Sequence, residues 1–184
     1  MKRFTDIVAS FVVLVMLAPV LIALGLAVAL TSPGGAFYRQ VRVGRGTRPF
    51  RMLKFRSMVA DADRIGGWST AEGDPRITPV GRFIRRTSLD ELPQLLNVLK
   101  GDMSLIGPRP DVPAQREGYT AAEWEERHRV RPGITGLAQA LARNAATPAE
   151  RTALDLRYVR EQSLWLDMKI VVWTLRQVLG RGSF

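Results

Sequence analysis

The sequence predicts an α+β chain that is mainly α, opened by a helix-break-helix membrane hairpin and continued by a small β-hairpin and a helical core. Three observations predict it. Residues 7–30 form a run of 24 positions without a single charge. Two short alternating segments flank Gly44 and Gly46. Leucines at 89, 92, 95, 96 and 99 recur at helical spacing. With 184 residues, the chain divides into a membrane segment over 1–32 and one further domain over 33–184, large enough to bury its own core.

Composition narrows the chemistry. The net charge is +10, and 23 of the 27 basic residues are arginine, whose planar fork suits phosphate and carboxylate. The absence of cysteine excludes disulfides, thiolate zinc sites and cysteine nucleophiles. A lone histidine, His128, leaves no imidazole cluster, so a metal would sit on oxygen ligands, as Mg²⁺, Mn²⁺ or Ca²⁺ do. The partners to expect are anions: nucleic acid, lipid head groups or a phosphorylated substrate.

A straight helix over residues 7–30 would span about 36 Å, enough to cross a hydrocarbon core of about 30 Å. Ala27-Val28-Ala29 resembles a signal-peptide cleavage site, but the apolar run is too long for an ordinary signal. Pro19 sits at the middle of the run and bends a helix there. Lys2 and Arg3 precede it, Arg39, Arg42, Arg45, Arg48 and Arg51 follow it, and no acid lies between Asp6 and Asp61. Positive charge on both flanks holds both ends in the cytoplasm, which a hairpin permits and a single crossing does not. A crossing in which one basic flank outvotes the other stays open on these residues alone.

Ser32-Pro33-Gly34-Gly35 closes the membrane segment. Strands follow over Phe37–Val43 and Phe50–Ser57, then a polar loop over 58–81 with at most one helical turn. A helix is expected from Thr87 to Lys100, ended by Gly101. Gly107-Pro108-Arg109-Pro110 reads as a stiff loop, Ala121–Arg129 as a short charged helix, and Glu150–Leu179 as one or two helices. The last carries an apolar stripe with Trp165 and Trp173, fit for an interfacial depth. His128 lies in a charged stretch and reads as solvated, and so do Asp61 and Asp63.

Asp90 and Glu91 stand out within Ser88-Leu89-Asp90-Glu91-Leu92-Pro93. One reading is a capping box on Ser88 and Glu91; Pro93, five positions on, weakens it. The other is a pair of carboxylates beside Arg82, Arg85 and Arg86, one facing phosphorus and one holding a metal. A carboxylate is ionised at neutral pH and can attack phosphorus. Lys54 and Arg56 share a face if the strand runs through them, and Arg109 is locked between prolines. Arg143-Asn144 is a weaker member of the same class.

Taken in order, Lys54-Phe55-Arg56-Ser57-Met58, the run Ser88–Ser104, Ile106-Gly107-Pro108-Arg109-Pro110 and Val130–Gln139 resemble the bacterial sugar transferases. More closely, the chain is similar to the small monotopic phosphoglycosyl transferases that act on polyprenol phosphate. The resemblance implies a re-entrant helix and a catalytic domain on the cytoplasmic face of the bacterial inner membrane. It also implies Mg²⁺, a UDP-sugar donor, polyprenol phosphate and membrane lipid as partners, and no nucleic acid. Its two-step reaction runs through an aspartyl-phosphosugar. Carried over by position, Asp90 is the nucleophile and Glu91 its metal-linked partner. Lys54, Arg85, Arg109 and Arg143 hold phosphates, Asp155 supports the site, and Pro19 marks the membrane break. Two positions depart from the family pattern: Ala18-Pro19 replaces Ser-Pro, and Ala142-Arg143-Asn144 replaces Gly-Arg-Asn. The competing readings are a non-catalytic basic anchor for acidic lipid or nucleic acid, and a Mg²⁺-dependent phosphohydrolase.

Overall fold

The computed structural model describes residues 1–66, 70–71, 73–142 and 147–180. Helix α1 (Lys2–Thr31) leads into strands β1 (Phe37–Val43) and β2 (Pro49–Phe55), then helices α2 (Ala62–Ile65), α3 (Pro79–Arg86) and α4 (Gln94–Lys100). Strand β3 (Ser104–Ile106), helix α5 (Ala121–Arg127), strand β4 (Gly133–Thr135) and helices α6 (Leu137–Ala142), α7 (Pro148–Glu161) and α8 (Leu164–Gly180) complete the order. The observed class matches the mainly helical α+β expectation.

Helix α1 is apolar on every side, yet only Asp6, Ser10 and Val28 are buried within it. Such a helix is built for lipid rather than for a protein core. Its helical conformation runs through Pro19, which is not a break in it; a proline removes one bond of the ladder, and here the ladder resumes. Both ends are fastened to the same body. At the start, Lys2 pairs with Asp167 at 2.6 Å, and Arg3 donates to the carbonyls of Val98 and Leu99, the orphan acceptors at the end of α4. Asp6 accepts from Ser104 Oγ at 2.8 Å and from Leu105 N–H at 3.2 Å. At the other end Val28 packs with Phe55 and Ile84, and Ser32 Oγ donates to the Met58 carbonyl.

The β-hairpin pairs Phe37 with Phe55 and Val43 with Pro49, so the expected first strand is met and the second ends two residues early. Helix α3, unforeseen, starts on Thr78, whose Oγ1 accepts from Gly81 N–H, with Pro79 in the first turn. Gly81 is required there: a Cβ would lie 1.9 Å from the Ser57 carbonyl oxygen. The single helix expected over Thr87–Lys100 is instead two pieces. Ser88 turns left-handed at φ 56°, Leu89–Glu91 forms a 3-10 turn, and α4 begins only after Pro93. Gly101, at φ 102°, ends α4 as expected.

Strands β3 and β4, also unforeseen, pair in parallel, Ser104 with Gly133 and Ile106 with Thr135. They sit beside a core of Ile106, Leu137, Ala140, Tyr158 and Ile170, against which Trp173 packs. Trp173 therefore faces the core rather than an interface, whereas Trp165, Met168, Val172 and Leu175 form an exposed apolar arc of α8. His128 is buried rather than solvated, its ring tilted against Trp124 at 4.2 Å with Nδ1 on the Trp124 carbonyl. Asp61 is exposed as expected, and the Asp63 side chain lies outside the described residues.

Replacing Asp6 with alanine strands a buried hydroxyl and a backbone N–H, a loss of about 2 kcal/mol. The expected outcome is a melting temperature lower by about 4–8 °C in detergent, measured by thermal unfolding, with Ser104→Ala in the same background costing little more.

Candidate active site

The left-handed turn at Ser88 and the 3-10 turn after it carry Asp90 and Glu91 into an open cavity of about 1300 Å³. Leu89 anchors the turn in the Val28–Phe55–Ile84 cluster, which leaves the two acids on the cavity side. Lys54, on β2, donates to Glu91 Oε1 at 3.0 Å. Arg109, from the loop after β3, donates to the same oxygen at 2.8 Å. Arg85, at the end of α3, lines the cavity with its guanidinium 3.5 Å from Ser57 Oγ. Five expected site residues are thus brought together from four parts of the chain.

The two carboxylates differ in state. Burial opposes ionisation of Glu91, but the Arg109 and Lys54 charges outweigh it and hold this carboxyl well below the usual carboxylate range. Asp90 is buried, and burial together with the adjacent Glu91 charge pushes it up to about 6 against the pull of Lys54, Arg85 and Arg109. Among the described residues no group donates a hydrogen bond to the Asp90 carboxylate. Two neighbouring acids whose environments drive them apart divide naturally into a charge already matched and a charge free to react.

The donor set for a metal is small. Among the described residues no group of three or more metal-ligating side chains converges. Mg²⁺ keeps several waters and commonly takes one or two carboxylates plus substrate phosphates, so Asp90 and Glu91 fit that ion. The acids stand on the short 3-10 turn and precede α4, which starts at Gln94.

Other expected residues fall elsewhere. Arg56 lies one residue beyond β2 and donates to the carbonyls of Pro33 and Phe37, so it does not share the Lys54 contact with Glu91. Asp155 lines the cavity, but its carboxylate is held by Arg127 at 2.7 Å. Arg143 lies outside the described residues. Sequence reasoning missed Arg127, Asp111 and Arg42, which surround the backbone of the Arg109 loop; the only local signal was the paired prolines.

Raising the Asp90 pKa from 3.8 to about 6 penalises the ionised form in the folded state. The penalty is absent below about pH 4 and complete above about pH 6, where it amounts to about 3 kcal/mol. In EDTA, Asp90→Asn should therefore unfold at higher temperature than the parent at pH 8, and the gap should close toward pH 4. Thermal unfolding across that pH range reads it.

The bacterial sugar transferase pattern matches residues 1–181. The chain is 44% identical over 97% of its length to a UDP-glucose:undecaprenyl-phosphate glucose-1-phosphate transferase of Caulobacter vibrioides, spanning 69% of that protein. It is 45% identical over 95% of its length to the protein of the same name in Escherichia coli, spanning 39% of it. An exopolysaccharide production protein of Rhizobium leguminosarum is 42% identical, with the match covering all of this chain and 97% of the relative. By these matches, together with its paired acids, the chain belongs to the bacterial sugar transferase family.

Proposed function

We propose that this chain moves a phosphosugar from a UDP-sugar to polyprenol phosphate, undecaprenyl phosphate as in the names of its relatives, and releases UMP. The carrying observation is Asp90: buried in the cavity, still mostly ionised at neutral pH, without a hydrogen-bond donor among the described residues, and next to a glutamate whose charge is already matched. In the first step an Asp90 oxygen attacks the phosphorus that bears the sugar. The bond from that phosphorus to the UMP oxygen breaks, and UMP leaves with the electron pair. In the second step an oxygen of polyprenol phosphate attacks the same phosphorus and frees the Asp90 carboxylate. One site thus serves a soluble donor and a membrane-tied acceptor in turn.

Lys54, Arg85 and Arg109 are assigned to the diphosphate oxygens, where fixed cations act on developing charge; Arg143 joins them by resemblance. Asp90 and Glu91 would hold Mg²⁺, which when bound neutralises phosphate charge. Over the anchor reading, this one is favoured by a reactive carboxylate in a cavity. Over a phosphohydrolase, it is favoured by the attached apolar helix, which brings a lipid acceptor to the site. No nucleic-acid partner enters the proposal.

The proposed topology is monotopic. Residues 1–32 enter and leave the cytoplasmic leaflet of the bacterial inner membrane, bending at Pro19, and 33–184 form the catalytic domain on the cytoplasmic face. Support comes from the two ends of α1, tied to one body by Lys2, Arg3 and Asp6 at one end and by Val28 and Ser32 at the other. The exposed arc of α8 with Trp165 supports an interfacial helix beside it.

Asp90→Asn should reduce turnover at least 10³-fold and Glu91→Gln at least 10²-fold, both with folding retained; UMP release from a UDP-sugar panel with polyprenol phosphate measures it. Intact mass of the parent quenched with UDP-sugar alone should show one added phosphosugar, mapped to Asp90. Chelator at constant salt should remove activity.

Single cysteines placed at Lys2 and at Arg45 should label from the cytoplasmic side only. Labelling from opposite sides would instead assign a spanning helix.

A further inference from the structure

We propose that Arg127 is a positioning residue of the transfer site, holding the backbone that aims Arg109 at Glu91. The proposal rests on the transferase reading above. Arg127 closes α5 and is 4% exposed. One edge of its guanidinium, Nε and Nη2, donates to Asp155 Oδ2 at 3.0 and 2.7 Å, and Nη1 donates to Asp111 Oδ2. Nη2 also donates to the carbonyl of Arg109 at 2.8 Å. Two carboxylates from separate parts of the chain thus fix one planar group, whose second Nη2 donor goes to the residue whose side chain reaches the site.

The loop is gripped at its next two residues as well. Arg42 donates to the Pro110 carbonyl at 2.7 Å, and Val43 N–H donates to the Asp111 carbonyl at 2.9 Å. Pro108 and Pro110 remove backbone freedom on each side of Arg109. A backbone fixed at three successive carbonyls leaves the exposed Arg109 side chain little to lose when it grips an anion. Asp155 then acts on the site through Arg127, without touching substrate. A bidentate, planar donor is required for this, and lysine cannot supply it.

The test is a double-mutant cycle on turnover, with Arg127→Lys, Arg109→Lys and the pair. Arg127→Lys should lower kcat/KM by ten- to a hundredfold in the parent and by less than threefold in the Arg109→Lys background. Equal factors in both backgrounds, or no loss in the parent, would overturn the proposal. If Arg127→Lys fails to fold, the charge-balanced pair Arg127→Gln with Asp155→Asn takes its place. If that also fails to fold, Arg127 is a determinant of folding and the assignment falls. An inactive parent would instead count against the transferase reading, and the same cycle would then be read from UDP affinity, with the same two outcomes.

Discussion

Two cations meet on one oxygen of Glu91, and the geometry of the cavity depends on that meeting. Lys54 comes from a strand and Arg109 from a loop 55 positions further along, yet both reach the same Oε1. Taking Lys54 out of water alone would cost several kcal/mol, and the Glu91 carboxylate, which the half-exposed Arg109 also reaches, offsets much of that cost. The pairing draws β2, the Glu91 turn and the Arg109 loop to a common point. It also leaves Asp90, one residue away, as the acid with no ion pair among the described residues. The contrast between the two neighbours follows from position: the second acid of the turn reaches the cations, and the first does not.

Strain and stiffness keep this meeting point in place. Ser88 is held at positive φ, an uncommon conformation for a residue with a side chain, directly before the turn that carries Asp90 and Glu91. Pro93 follows and delays the next helix, so the acids sit on a short 3-10 turn instead of a longer helical face. Behind Arg109, prolines and buried arginines restrict the loop. The apolar helix α1 joins the same frame: its first residues cap the end of α4 and bond to β3, and β3 runs into the Arg109 loop. The apolar helix and the site are therefore mechanically close.

Patterns confined to a few residues were legible in the sequence. The β1 strand follows from alternation around glycines, and Gly101 ends its helix as its type requires. The cluster of Asp90, Glu91, Lys54, Arg85 and Arg109 was also found, but through resemblance of ordered motifs, because nothing local links Lys54 to Glu91. What was misread has definite causes. Leucine spacing from 89 to 99 fits one helix, and the left-handed Ser88 and Pro93 divide it. Thr78-Pro79 was a start signal for α3 lost among loop-like neighbours. The three-residue strands β3 and β4 are too short for any period, and their pairing is decided by the close approach of Gly107 and Gly133. His128 was expected to be solvated from its charged neighbours. Burial of α5 against α7 draws Arg127 and His128 inward, toward partners 16 and 28 residues away that no local pattern reports.

In the proposed mechanism transfer is divided on Asp90, with the donor half complete before the acceptor binds. Isotope exchange tests it most directly. With Mg²⁺ and no polyprenol phosphate present, labelled UMP should be incorporated into the UDP-sugar that the chain accepts, and Asp90→Asn should abolish the incorporation. Exchange that appears only after polyprenol phosphate is added, or that persists undiminished in Asp90→Asn, would contradict a covalent step at this residue.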